Sequence, residues 1–220
     1  MRTLIQGGDV VGFDGKEHRL IRDGVVVFED ATIVAVGRTY EGPVDHRIDA
    51  RGMLICPGFI NTHVHVGIEV MTTLLDIHPS IIQKQTPGAD PARTEMISRR
   101  WLSPSLAQLL KTGTTTFLDV VSSGTLWWLG NPPGDVAILA DVVGRFGGRA
   151  YLSPGMRSYR ACMDEGGQRV YHPNEREGLG ELERAVRFVE KHHGAWDGRI
   201  QGMLYPHAVD NCSPTLLKEA

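Results

Sequence analysis

His63 and His65 stand two residues apart at the end of the run Leu54-Ile55-Cys56-Pro57-Gly58-Phe59-Ile60-Asn61-Thr62. On an extended strand, side chains at i and i+2 point to the same side, so both imidazoles can face one metal ion. Neutral imidazole is a good ligand for zinc, iron or nickel. A His-x-His pair alone reads equally well as a surface or structural pair. Its setting favours the metal: an apolar strand ends where barrel enzymes place their chemistry.

Other residues qualify by position. His207 follows Pro206 at the end of the apolar segment Ile200 to Tyr205, which puts it at the same kind of strand end. Asp119 lies at the end of the second strand candidate, Thr114 to Val121; a carboxylate there can orient an imidazole through its second nitrogen, or cap a helix or bond to a loop. Arg157 can meet an anionic substrate group or simply be solvated. Glu69 and His78 can reach a pocket or face solvent. Trp127-Trp128 can line an apolar pocket, sit in a subunit interface or pack in the core. Gly166-Gly167 has no phosphate-binding lysine or glycine fingerprint around it, so a nucleotide loop is not expected.

The elements that must position these side chains fall into two textures. Residues 1–53 read as short strands, Thr3 to Gln6, Val10 to Phe13, Gly24 to Phe28 and Thr32 to Gly37, separated by Gly and Asp turns. About 50 residues of hairpins have little core of their own and should pack on something else. From residue 54 onward, strand and helix alternate. Buried strands are expected from Leu54 into His65, at Thr114 to Val121, at Arg149 to Ser153 and at Ile200 to Tyr205. Helices are expected at Glu95 to Lys111, Val136 to Phe146 and Leu179 to His192. Pro104 should interrupt the first helix, with Ser103 as the cap that restarts it. Ser213-Pro214 opens a further helix by the same rule.

Four such repeats make a parallel α/β domain, either a small doubly wound sheet or part of a barrel. A (β/α)8 barrel takes about 250 residues, so residues 54–220 supply only the first half of one. The helix opened at Ser213 argues for continuation beyond residue 220.

Bulk properties narrow the class. With 23 Lys plus Arg, 26 Asp plus Glu and a formal charge of -3 in 220 residues, and with Lys84, Arg93, Arg99 and Arg100 scattered, no basic tract for nucleic acid exists. No apolar stretch reaches the roughly 18 to 20 residues of a spanning helix, and the N-terminus turns polar too early for a signal peptide. Cys56, Cys162 and Cys212 are widely spaced, which fits a reducing cytoplasm and small buried side chains better than disulfides or nucleophiles.

Three ordered segments carry a resemblance. Pro57-Gly58-Phe59-Ile60-Asn61-Thr62-His63-Val64-His65 resembles the strand-1 signature of the amidohydrolase superfamily, in its cytosine deaminase and chlorohydrolase-like branch. Lys111-Thr112-Gly113-Thr114-Thr115-Thr116-Phe117-Leu118-Asp119 resembles its strand-2 motif. Pro206-His207-Ala208-Val209-Asp210-Asn211-Cys212-Ser213-Pro214 resembles its strand-4 motif, although Val209-Asp210-Asn211 departs from the usual aromatic-containing turn. With the β-rich start, the resemblance covers essentially the whole chain.

The resemblance implies an α/β fold: residues 1–53 as strands of a composite β-sandwich, and residues 54–220 as the first four units of a distorted (β/α)8 TIM barrel. It implies one divalent metal ion, zinc or iron, on His63 and His65. A strand-5 histidine and a strand-8 aspartate would complete the ligands, and these would lie beyond residue 220, as would the acid–base glutamate and a strand-6 histidine. It gives His207 a role in contacting substrate or polarising the group attacked. The implied activity is water-based hydrolysis, deamination of a small cyclic nitrogen compound first. Hydrolysis of a chlorinated, carbamate-like or urea-like compound is the enzymatic alternative, and a non-catalytic binding or assembly protein the other. The expected partners are a small-molecule substrate and the C-terminal remainder of the same protein, with a homo-oligomer as an option. The segment alone is expected to be inactive.

Overall fold

Runs rich in β-branched residues dominate the first unit, Met1–Gly58. The computed structural model describes residues 1–66, 91–120 and 135–220. In this unit β1 (Arg2–Phe13), β2 (His18–Glu29) and β3 (Thr32–Gly37) pair antiparallel, while β4 (His46–Asp49) and β5 (Leu54–Ile55) run parallel to β1. Asp14 closes the first hairpin by accepting the backbone N–H groups of Lys16 and Glu17. The two strands expected over residues 3–13 are one. Gly7, at a φ of 82°, takes up the left-handed conformation of a bulge, and the register shifts on either side of Gly8.

Leu54-Ile55 do not lead the next unit's first strand, contrary to the expectation from their apolar character. They pair with Asp9 and Val10 of β1, and Pro57, which has no N–H to give to a ladder, separates them from Phe59. Leu4, Val25 and Val27 form a small core, with Ala35, Tyr40 and Val44 against it.

The second unit, Phe59–Ala220, alternates strand and helix. Its order is β6 (Phe59–Val64), α1 (Pro91–Lys111), β7 (Thr114–Asp119), α2 (Asp135–Phe146), β8 (Arg149–Leu152) and β9 (Gly155–Met156). A hairpin follows, β10 (Tyr159–Met163) and β11 (Arg169–Pro173), then α3 (Glu175–His192), β12 (Ile200–Gly202), β13 (Tyr205–Pro206) and α4 (Pro214–Glu219).

Strands β6, β7, β8 and β12 lie side by side in chain order and all parallel, and β9 pairs with β13 just beyond the ends of β8 and β12. A doubly wound sheet reverses direction partway through its strand order, whereas a barrel adds each strand beside the last. The order here is that of a barrel's first four strands.

Helices α1, α2 and α3 pack on the sheet through Leu102, Leu106, Leu139, Val143 and Phe188, against Val64, Val66, Phe117, Ala150, Leu152 and Ile200. Burial of this kind stabilises by about 25 cal/mol per Å2 of apolar surface. Contrary to expectation, α1 runs through Pro104 without a break. Proline cannot donate to the carbonyl four residues back, here that of Arg100, and the Ser103 hydroxyl donates to the Arg99 carbonyl (2.9 Å) within the same helix instead of capping a new one.

Helix α3 starts four residues earlier than its apolar spacing indicates. Asn174 caps it, accepting the Glu177 N–H (3.2 Å) and donating its amide to the Glu177 carboxylate (2.8 Å). Helix α4 begins as expected, with Ser213 accepting the Leu216 N–H and Pro214 in the first turn.

Two of the three cysteines depart from the expected burial. Cys212 is buried, but Cys56 and Cys162 are exposed. Cys162 lies on the hairpin, a two-stranded ribbon too thin to cover both of its faces. Among the described residues, no helix is long and apolar enough to cross a membrane.

Candidate metal and substrate site

The alternation of β6 decides where its histidines go. Val64 and Val66 are buried in the core shared with the helices, so His63 and His65 emerge on the opposite face of the sheet. Pairing with β7 is irregular between Asn61 and Val64, and the Asn61 side chain fills the gap by accepting the His63 N–H (3.0 Å). The two Nε2 atoms approach to 3.3 Å, with ring centroids 5.1 Å apart and planes at 77°.

That separation suits one proton shared between the rings, or one ion held by both. Two nitrogens each about 2.0–2.1 Å from a tetrahedral ion lie about 3.3–3.4 Å apart. The donor set therefore fits a zinc-like ion. Among the described residues, no group of three or more His, Cys, Asp or Glu side chains gathers as a metal site.

Asp119 ends β7 and is fully buried. Its Oδ1 accepts the Val66 N–H (2.9 Å), and the Val120 N–H donates to the Val64 carbonyl (2.8 Å). The carboxylate thus fastens the backbone one residue beyond His65. Of the roles expected for it, loop hydrogen bonding is the one this contact represents.

His207 follows β13, and its backbone N–H donates to the Met156 carbonyl at the end of β9 (2.9 Å). The ring is open to solvent on one side, and its Nδ1 lies 2.7 Å from the Asn211 side-chain nitrogen. Desolvation by surrounding protein, then the Arg157 charge, hold His207 below the ordinary histidine value.

Arg157 is half-buried beyond β9, and its N–H donates to Glu181 of α3 (2.9 Å). Burial raises the Glu181 carboxyl, against that N–H and the Arg184 and Arg157 charges.

Sequence reasoning misses two features. Asn211 reads only as part of an atypical turn; its position four residues after His207, in a short 3-10 turn at Val209–Asn211, is the signal that could have marked it. The second is Cys162, whose sulfur lies 3.1 Å from Nε2 of His172 across the β10–β11 hairpin. Gly166-Gly167 form the turn of that hairpin, with the Gly167 N–H donating to the Asp164 carbonyl. Glu69, His78, Lys84 and Trp127-Trp128 lie outside the described residues.

Comparison with known proteins adds to this geometry. A model of the amidohydrolase family matches residues 54–220. The chain is 30% identical to a 5-methylthioadenosine/S-adenosylhomocysteine deaminase of Halalkalibacterium halodurans, over 99% of this chain and 45% of that protein. It is 29% identical to a 5'-deoxyadenosine deaminase of Methanococcoides burtonii, over 98% of this chain and 44% of that protein.

Among solved structures, an atrazine chlorohydrolase from Arthrobacter aurescens complexed with zinc is similar at a TM-score of 0.62 and 19% identity, over 97% of this chain and 48% of that one. A guanine deaminase from C. acetobutylicum with bound guanine is similar at a TM-score of 0.62 and 16% identity, over 99% and 49%. At such identities the structural likeness speaks for the fold alone. The chain spans a little under half the length of the curated relatives it matches.

Proposed function

The chain belongs to the amidohydrolase family, and on that premise we propose that it is the part of a C–N hydrolase that begins the metal site, with deamination of an adenine-type nucleoside as its reaction. The observation that carries the metal reading is the pair of Nε2 atoms 3.3 Å apart at the end of the first barrel strand. The names of the sequence relatives supply the substrate class.

His63 and His65 would hold one divalent ion, zinc in the first instance, as the donor types and their spacing favour. Such an ion supplies Lewis acidity and makes water nucleophilic near neutral pH. The further ligands and the acid–base group would come from sequence that the relatives have and this chain does not cover.

The chain's own residues do the rest of what can be assigned. Asp119 fixes the backbone beyond His65, and so the direction of that ring. His207, at the end of another strand of the same series and held towards its neutral form, offers a hydrogen bond to a ring nitrogen of a bound heterocycle. The three free cysteines and the lack of a basic tract fit a cytoplasmic protein with a small-molecule substrate.

The test is a leaving-group assay on the intact protein with zinc supplied. 5'-Deoxyadenosine, 5'-methylthioadenosine, S-adenosylhomocysteine, guanine and a chlorinated triazine would be offered in turn. Ammonia released from an adenine nucleoside is the expected result. Chloride or alkylamine release from the triazine, with the nucleosides untouched, would replace this reading by the halide- or amine-displacing alternative.

A further inference from the structure

Asn211 is bonded at every polar atom of its backbone and side chain. Its N–H donates to the Ala208 carbonyl (3.1 Å) and its carbonyl accepts the Ser158 N–H (2.9 Å). Its side-chain oxygen accepts the Ala208 N–H (3.1 Å) and faces the Cys212 thiol (3.6 Å), while its side-chain nitrogen meets His207 Nδ1 at 2.7 Å. The residue is only 6% exposed.

This arrangement fixes which end of the amide is which. The Ala208 N–H can only donate, so the atom facing it must be oxygen; a flipped amide would oppose two donors in a buried place. The NH2 group therefore faces His207, and Nδ1 must be the acceptor. A neutral imidazole that accepts at Nδ1 carries its proton on Nε2, on the far edge of the ring.

We propose that Asn211 is a positioning residue that locks His207 in the neutral Nε2–H tautomer and turns that N–H towards the substrate. The inference rests on the functional reading above only for what the N–H acts upon. The tautomer itself comes from the hydrogen bonds. It makes His207 a donor to the group under attack rather than a base that removes a proton from water.

The intact protein, labelled with 15N at histidine, tests this by long-range proton–nitrogen correlation, with the His207 signals assigned by their loss in His207→Gln. The expected spectrum has Nδ1 in the range of an unprotonated ring nitrogen and Nε2 in the range of a protonated one. Asn211→Asp keeps an oxygen for the Ala208 N–H but puts a second oxygen at Nδ1. There the proton should move to Nδ1 or the ring become cationic, and kcat should fall about 10–100-fold with metal content and KM nearly unchanged.

A wild-type spectrum with the proton on Nδ1 overturns the proposal, as does an Asn211→Asp spectrum unchanged at both nitrogens. The wild-type spectrum decides alone should the variant fail to fold. Because that spectrum does not depend on turnover, a protein that releases no ammonia yet shows the Nε2–H tautomer refutes the deaminase reading and leaves this one standing.

Discussion

The two histidine stations of the second unit are built in opposite ways. His63 and His65 are aimed by the pleat of a strand whose alternate residues, Val64 and Val66, are anchored in the core. Their rings lean on each other, 3.3 Å apart at Nε2. His207 sits beyond a two-residue strand and is aimed by a side chain, the Asn211 amide, which is itself tied at each polar atom. The first station leaves ring nitrogens available to a shared ligand. The second spends one nitrogen on the protein and commits the other to a single role. On the proposed reading, one station would bind an ion and the other present a fixed proton, and the two tasks call for these different supports.

The comparison breaks first at the ligands. His63→Ala and His65→Ala should each bring bound zinc down to background and abolish most turnover, while far-UV circular dichroism stays close to wild type. Retained stoichiometric metal in either variant would show that the pair is structural. Next comes His207→Ala: full metal content with kcat lower by about 100- to 1000-fold, the cost of losing one aimed donor. Loss of metal in that variant would merge the two stations into one.

The differences then become finer. Asp119→Ala should weaken zinc affinity about 10-fold or more by freeing the Val66 backbone, whereas Asp119→Asn, which keeps an acceptor, should lose less; competition with a chelator measures both. Equal losses would mean that the carboxylate's charge matters more than its hydrogen bond.

Smallest is a pH effect. Arg157 lowers His207, so Arg157→Gln should raise the ring's pKa, and the acid limb of kcat/KM should move to higher pH by a fraction of a unit. A shift in the opposite direction would remove Arg157 from the second station.

The legibility of these features tracks the range of the interactions behind them. His63, His65 and the sequential strands are readable because strand alternation and apolar runs are local patterns. Ser213-Pro214 is readable because a cap acts within one turn. The continuity of α1 through Pro104 is not, since it depends on the packing of Leu102 and Leu106 in the core. Tertiary burial there outweighs a local penalty of about 3 kcal/mol.

Leu54-Ile55 mislead for a related reason. Their apolar character is real, but their partners are Asp9 and Val10, some 45 residues earlier, and no periodicity reports a pairing at that distance. The β10–β11 hairpin escapes because its strands mix polar and apolar residues on a ribbon with little burial. Asn211 escapes because an asparagine near a Ser-Pro cap is ordinary until a histidine ring is found against it.

The chain-order arrangement of β6, β7, β8 and β12 bears on how the molecule assembles. Each strand's neighbour in space is the preceding strand of that series, so every addition closes only the connection that leads to it, and none waits for a later segment. Growth from the N-terminal edge can proceed unit by unit as the polypeptide is synthesised, with β6 available as the template on which β7 docks. The histidine pair is then laid down on the earliest strand of the series, ahead of His207.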